Sequence, residues 1–269
     1  MKKILYFLLF APLFALGQTD SQNYVKTLTY KEETESSDPN KANTTVTYYD
    51  GLGRPIQQVA GKMATTGKDI ITHITYDRFG RQTKEFLPYP SGASDLSYQG
   101  SAGADVLTYY GSVSTTPGVG PQEATGNPYS EKFFEPSPLN RIVKQAAPGN
   151  AWAGNEGNDN DHTIKYAYMA NSESDGILMF KAQAGPNVNS NTLSYDISLV
   201  SNGETYPVNQ LYKNIVQNEN KASALTILNN KNFYLAIEYK NKEGQLVAKQ
   251  QDYSSYDNYG MPVYDTMYT

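Results

Sequence analysis

The chain is predicted to be all-β, with antiparallel hairpins laid edge to edge in one long, curling sheet interrupted by long Gly/Pro/Ser-rich loops. Three observations predict it. Tyr-Asp-x-x-Gly-Arg is spelled twice, 27 residues apart, at Tyr49-Asp50-Gly51-Leu52-Gly53-Arg54 and Tyr76-Asp77-Arg78-Phe79-Gly80-Arg81, and recurrence of a motif marks a repeated structural unit. The aromatic residues are dominated by 23 Tyr against 9 Phe and 1 Trp; tyrosine suits a pleated, half-buried surface where the ring packs and the hydroxyl stays wet. The 21 Gly and 14 Pro supply turns.

Each repeat reads as strand, turn, strand. In the first, residues 45–49 are a β-prone run, Asp50 to Gly53 is turn chemistry, and residues 56–59 resume the strand. In the second, residues 70–76 form the incoming strand, Asp77 to Gly80 the turn and residues 81–86 the outgoing strand. The Arg after each Gly is placed to reach back to the Asp carboxylate or the turn carbonyls, a structural role for Asp50/Arg54 and Asp77/Arg81. Cruder copies follow. Tyr239-Lys240-Asn241-Lys242-Glu243-Gly244-Gln245 reads as having one extra residue, with Gln in place of Arg; Tyr256-Asp257-Asn258-Tyr259-Gly260-Met261 ends in Met. A degenerate copy runs from Phe134 to Arg141, with Asn140 replacing Gly where the backbone must take positive φ. A lone hairpin is marginal in water, so the hairpins must pair with one another.

Between the copies, residues 88–130 are rich in Gly, Ser, Thr and Pro and read as a long loop with little regular structure. Residues 149–161 are a second loop. Strands are expected at 162–169, 176–184, 192–200, 212–219 and 233–240, and the best helix candidate, at 221–228, is short. At the N-terminus, Lys2 and Lys3 precede an apolar run and Ala15-Leu16-Gly17, the pattern of a secretory signal peptide over residues 1–17. The mature chain is thus expected to be exported, secreted or at the cell surface. With no Cys, disulfides, thiol nucleophiles and Cys-ligated metals are excluded.

Residues able to carry chemistry are few. A net charge of −5 argues against a nucleic-acid backbone as partner, which needs a basic face. His73 and His162 each fall in a predicted strand and read as structural. Neither nucleophile-elbow, zincin nor P-loop motifs occur. In the acidic loop, Asp159 and Asp161 alternate as calcium ligands can, but the loop lacks the glycine and bidentate Glu such a site needs, so it reads as solvated. Tyr48, Tyr49, Tyr76, Tyr109 and Tyr110 could stack on sugars if their strands face outward; filling cross-strand pairs is the simpler role. Chance carboxylate pairs are inevitable with 27 acidic residues, so acid pairs alone do not point to a hydrolase. No catalytic residue, cofactor or metal is expected.

The hairpins resemble the YD repeats of RHS-type proteins, large exported bacterial polypeptides. The resemblance extends to "NYV" (from Asn23), "TVTYYDGLGRPIQQV", "SPLNRIVKQAAPGNAW", "HTIKYAYMANS", "NQLYKNIVQNENK" and "IEYKNKEGQLVAKQ", in that order. Together these resemble the N-terminal domain that opens RHS-type proteins of the Bacteroidota, over nearly all of residues 20–269. The resemblance implies a β-hairpin spiral that builds a hollow shell, which in several members encloses a C-terminal toxin. Residues 18–269 would then be an RHS-type N-terminal β domain and a non-enzymatic scaffold. Its partners would be further YD repeats or a C-terminal effector on the same or an adjacent polypeptide. The sequence ends in "YDNYGMPVYDTMYT", within a repeat, and carries no closing core segment or toxin, so nothing carries over for self-cleavage or toxicity; a front piece of a longer protein, or a truncated gene, is expected. A cell-surface carbohydrate-binding or adhesin-type module, with glycans as partners, is the alternative. Nucleic acid is not expected as a partner, nor a membrane once the signal is removed.

Overall fold

The computed structural model describes residues 22–33, 41–115, 120–186, 195–220, 235–256 and 262–268. Strands hold 42% of the residues and helices 8%, in antiparallel sheets that do not close into a barrel. Among the described residues no helix is long and apolar enough to cross a membrane. The chain divides into two compact units, Met1–Tyr129 and Ser130–Thr269. The expected signal peptide, the expected helix at 221–228, and Asp257 and Gly260 of the fourth copy lie outside the described residues.

The first unit is a sheet whose neighbours run Asn23–Tyr30, Ala42–Tyr49, Pro55–Ala60, Ile70–His73 and Tyr89–Pro90, in that order. Strands β1 (Asn23–Tyr30) and β2 (Ala42–Tyr49) pair over their full length, Asn23 opposite Tyr49 and Tyr30 opposite Ala42. Strand β3 (Pro55–Ala60) returns along β2, and β4 (Ile70–His73) along β3. Alternation puts Val46 and Tyr48 of β2, Val59 of β3 and Ile71 of β4 on one buried face, where they pack with Tyr89, Ala102 and Val106. Gln57 sits on that face too. Its side-chain amide donates to the Gln99 carbonyl at 2.9 Å and its carbonyl accepts from the Gln99 N–H at 2.9 Å, so a buried polar side chain is fully used.

The 88–130 stretch departs from the expectation of an unstructured loop. It contains β6 (Tyr89–Pro90), paired with β4, and an α-helix, α1 (Ala102–Tyr110). Ala102 and Val106, four residues apart, are buried, and Tyr109 and Tyr110 pack beside the same core, which is helical spacing. Asp105 stands in the first turn and accepts a 2.7 Å bond from the Ser101 hydroxyl, favourable at a helix N-terminus. The second repeat's outgoing strand is also shorter than expected. Strand β5 (Lys84–Phe86) is joined to the incoming segment of its own repeat by a bridge between Ile74 and Glu85. The edge of β4 is taken instead by β6, which brings Tyr89 into the core, 3% exposed.

In the second unit, β15 (Pro262–Tyr268), β14 (Leu246–Tyr256), β13 (Leu235–Lys240), β12 (Tyr212–Gln217), β9 (Ile164–Ala170), β8 (Ile142–Ala146) and β7 (Tyr129–Phe134) are neighbours in that order. A separate hairpin joins β10 (Lys181–Pro186) and β11 (Tyr195–Val200). The buried face of β12 and β13 places Ile215 opposite Ile237 and Lys213 opposite Tyr239. Ile215, Ile237 and Tyr239 pack with Ile177, Leu211, Leu235 and Ala248.

Candidate functional site

The two clear repeats close in the same way, bond for bond. The Asp50 N–H donates to the Arg54 carbonyl at 2.9 Å, and the Gly53 N–H to the Asp50 carbonyl at 3.0 Å. Gly53 takes φ 76°, a conformation glycine adopts without steric cost. One carboxylate oxygen of Asp50 accepts the N–H groups of Leu52 and Arg54, both at 2.9 Å. The other accepts Nε and Nη2 of Arg54, both at 2.8 Å, a bidentate pair. Around Asp77, Phe79, Gly80 and Arg81 the bonds repeat within 0.1 Å: 2.9 Å for each backbone contact and 2.8 Å for Nε and Nη2. The Arg54 backbone N–H, with its guanidinium, holds the Asp50 carboxyl below the usual range. At Asp77 burial pulls the other way but is outweighed by the Arg81 backbone and side chain.

The third copy shows which part of this device is indispensable. Asn241 N–H donates to the Gln245 carbonyl and Gly244 N–H to the Asn241 carbonyl, both at 3.0 Å. The Asn241 side chain accepts the Gln245 N–H and donates to the Gln245 side-chain oxygen, both at 2.8 Å. A neutral amide pair thus stands where Asp and Arg stand elsewhere. This corrects the sequence reading: the loop has no extra residue. Asn241 takes the place of Asp50, and Tyr239, two positions earlier, is the counterpart of Tyr48 rather than Tyr49; both Tyr239 and Tyr48 are wholly buried. The degenerate copy lengthens the loop but keeps the clamp. Glu135 N–H donates to the Arg141 carbonyl at 3.0 Å, and its carboxylate accepts Nε and Nη2 of Arg141 at 2.8 and 2.7 Å. The Arg141 guanidinium holds the Glu135 carboxyl down to about 2, and Asn140 takes φ 52°. At the apex of each charged turn an apolar side chain is thrown outward: Leu52, Phe79 and Leu139 are 79%, 65% and 68% exposed.

The motif tyrosine serves its neighbour. The Arg54 guanidinium lies over the Tyr76 ring at 4.5 Å, and the Tyr76 hydroxyl donates to the carbonyl of Pro55, the residue after that Arg, at 2.8 Å. In the second unit the Arg141 guanidinium lies over the Tyr168 ring at 4.8 Å, and the Tyr168 hydroxyl donates to the carbonyl of Ile142, again the residue after the Arg, at 3.0 Å. A tyrosine from outside the turn thus latches onto it through cation–π contact and one hydrogen bond. Exchanging the first turn's ions for the third turn's amides, D50N with R54Q, is expected to preserve the fold and lower the salt dependence of the urea midpoint. Asp50→Ala alone should lower the midpoint, because the Leu52 and Arg54 N–H groups lose their acceptor; equal midpoints for both variants would contradict the clamp.

Of the remaining candidates, His73, Tyr48, Tyr109 and Tyr110 pack within the first unit. His73 packs on Phe86 at 5.2 Å and against Gly103 of α1, where a Cβ would lie 3.0 Å from Nε2; burial pushes its pKa down. Tyr48 is sealed in the core, and Tyr109 and Tyr110 pack against it, so these rings are no outward sugar platform. The acidic loop is more than a solvated surface. The ammonium of Lys144 is wrapped by the carbonyls of Asn155 and Asn158, both at 2.9 Å, by Asp159 at 2.8 Å and by Asp161 at 3.1 Å. A buried lysine thus takes the loop's oxygens, and among the described residues no group of three or more His, Asp or Glu is arranged for a metal. Lys165, opposite Lys144 in the register, shares Asp161, and Lys213 pairs with Asp175 at 2.5 Å. Sequence reasoning missed these three lysines, although each sits at an inward position of an alternating strand.

No curated protein matches this chain. A family model described as a domain of unknown function, DUF6443, matches residues 21–166, a span holding both clear repeats and the Glu135/Arg141 turn. That span is more than half of the chain, which therefore belongs to the DUF6443 family.

Proposed function

We propose that the chain is a non-enzymatic scaffold, resembling the opening section of an exported YD-repeat shell of the RHS type, with residues 1–17 acting as its signal peptide. One observation carries the reading: the same turn closure recurs at residues 50–54, 77–81, 135–141 and 241–245. At two of these the turn Arg is latched by a tyrosine from outside the turn. The acids of the motif are spent on closing turns, and two of the arginines also on holding a distant tyrosine, which is what a wall of repeats requires and what a catalytic site does not. Its partners are further Tyr-Asp-x-x-Gly-Arg hairpins or an effector attached to them.

The test is to extend the full chain at its C-terminus with two further hairpins of the motif and compare it with a chain bearing scrambled tails of equal composition. A scaffold gives one cooperative unfolding transition with a raised midpoint for the true tail alone. Equal midpoints for the two tails would overturn the reading. Export is tested separately, by N-terminal sequencing of the secreted material, which should begin near Gln18.

A further inference from the structure

In the second unit, a pocket of about 280 Å³ opens beside the chain's single tryptophan, and no part of the scaffold reading uses it. Gly149, at φ 112°, turns the chain out of β8 into a short 3₁₀ turn, Asn150–Trp152, closed by the Trp152 N–H on the Gly149 carbonyl at 3.1 Å. That turn sets the indole at the pocket rim, 37% exposed. His162 meets it edge-on, with ring centroids 5.4 Å apart. The His162 Nδ1 lies 3.0 Å from the Glu219 backbone carbonyl and must donate to it. In the neutral ring, Nε2 then carries the lone pair.

Three further polar side chains line the pocket, Ser130, Gln145 and Glu219. All three are half-buried, and none of these side chains makes a hydrogen bond within the described residues. Lys144 and Asp161 of the same unit are, by contrast, each held by several bonds. Hydrogen-bonding groups without partners among the described residues, set around a half-exposed aromatic ring, are the features of a ligand site. Neither Lys nor Arg lines the pocket, which disfavours an anionic ligand. A carboxylate, an amide, a hydroxyl and an imidazole lone pair form an acceptor-rich set, suited to a ligand that presents several hydroxyl donors beside an apolar C–H face.

We propose that this pocket binds one neutral pyranose ring of a glycan, stacked on Trp152 and hydrogen-bonded by Glu219, Gln145, Ser130 and His162. The site goes beyond the scaffold role and does not depend on it. Because Trp152 is the only tryptophan, selective excitation of the full chain reads this pocket alone. Titration with the methyl glycosides of glucose, galactose, mannose and N-acetylglucosamine should give a saturable change in emission with at least one of them. The dissociation constant is expected on the order of 1 mM. Glu219→Gln should weaken that binding about tenfold, because a charge-assisted hydrogen bond becomes a neutral one, with an unchanged circular-dichroism spectrum. Trp152→Ala, followed by saturation-transfer NMR of the same glycoside, should abolish it. Three results would overturn the assignment: no saturable change with any glycoside, binding indifferent to Glu219→Gln, or a response to a polyproline peptide without one to any sugar.

Discussion

Asp161→Ala is expected to destabilise the second unit by about 3–5 kcal/mol, the usual cost of removing one partner from a buried charge network. The carboxylate has no idle lone pair. One oxygen accepts the Lys144 ammonium at 3.1 Å and the Asn155 N–H at 2.9 Å; the other accepts the Thr163 hydroxyl at 2.7 Å and the Lys165 ammonium at 3.1 Å. The side chains of Lys144, Lys165 and Asp161 are 6%, 3% and 9% exposed, so water does not replace what is lost. Lys144 would keep Asp159 and two carbonyls; Lys165 would keep only the carbonyls of Asp161 and Thr163. Lys144→Met should cost less, because Asp161 retains Lys165 and the apolar stem is preserved.

Acid gives an independent reading of the same group. Burial tends to raise the Asp161 carboxyl, but the Asn155 N–H, the Thr163 hydroxyl and the two lysines outweigh it and bring it down to about 2 from an ordinary 3.8. A depressed carboxyl stabilises the fold above its unfolded value and loses that contribution as pH falls through its folded value. The loss, about 2 kcal/mol, therefore falls between about pH 4 and pH 2. Urea midpoints followed across that window should fall in the parent and lie flatter in Asp161→Ala. Equal stability of the two proteins at neutral pH would refute the network.

Tyr48→Ala should destabilise the first unit by about 3–5 kcal/mol, as for other buried aromatic truncations. Tyr48 is fully buried, and its ring meets Tyr98 at 5.3 Å and Tyr24 at 5.8 Å. Its hydroxyl donates to the Leu96 carbonyl at 2.7 Å, tying the strand to the segment that leads into α1. Tyr48→Phe keeps the ring and orphans that carbonyl, so about 1–2 kcal/mol is expected. Thermal unfolding of the pair separates packing from the hydrogen bond; equal losses for Ala and Phe would remove the packing argument.

The turns were legible because everything that closes them lies within four residues of sequence. Asp50, Gly53 and Arg54 carry their instructions locally, and so do Asp77, Gly80 and Arg81. In the third turn Tyr239 is a misleading anchor, since it shifts the alignment by one residue. Aligning on the acceptor, the glycine and the residue after it would have placed Asn241, Gly244 and Gln245 correctly. The helix α1 was hidden by Gly103 and by the Gly- and Ser-rich flanks, although Ala102, Val106 and Tyr109–Tyr110 already keep helical spacing. The lysines were illegible for a different reason. Lys144 finds its partners 11 to 17 residues away, and a lysine at an inward strand position announces nothing until the loop that wraps it is in place. The true service of Tyr76, holding the previous turn's Arg54, is likewise a contact 21 to 22 residues distant in sequence, which no reading of one hexamer could supply.

The outward-thrown apex residues have a consequence for how such a wall can diversify. Since the acid or amide, the glycine or Asn140, and the Arg or Gln settle each bend among themselves, the letter between them is released from folding duty; it is Leu, Phe and Leu in three loops and Glu243 in the fourth. Selection can rewrite that letter to suit whatever the crest must touch or repel while the masonry beneath stays unaltered.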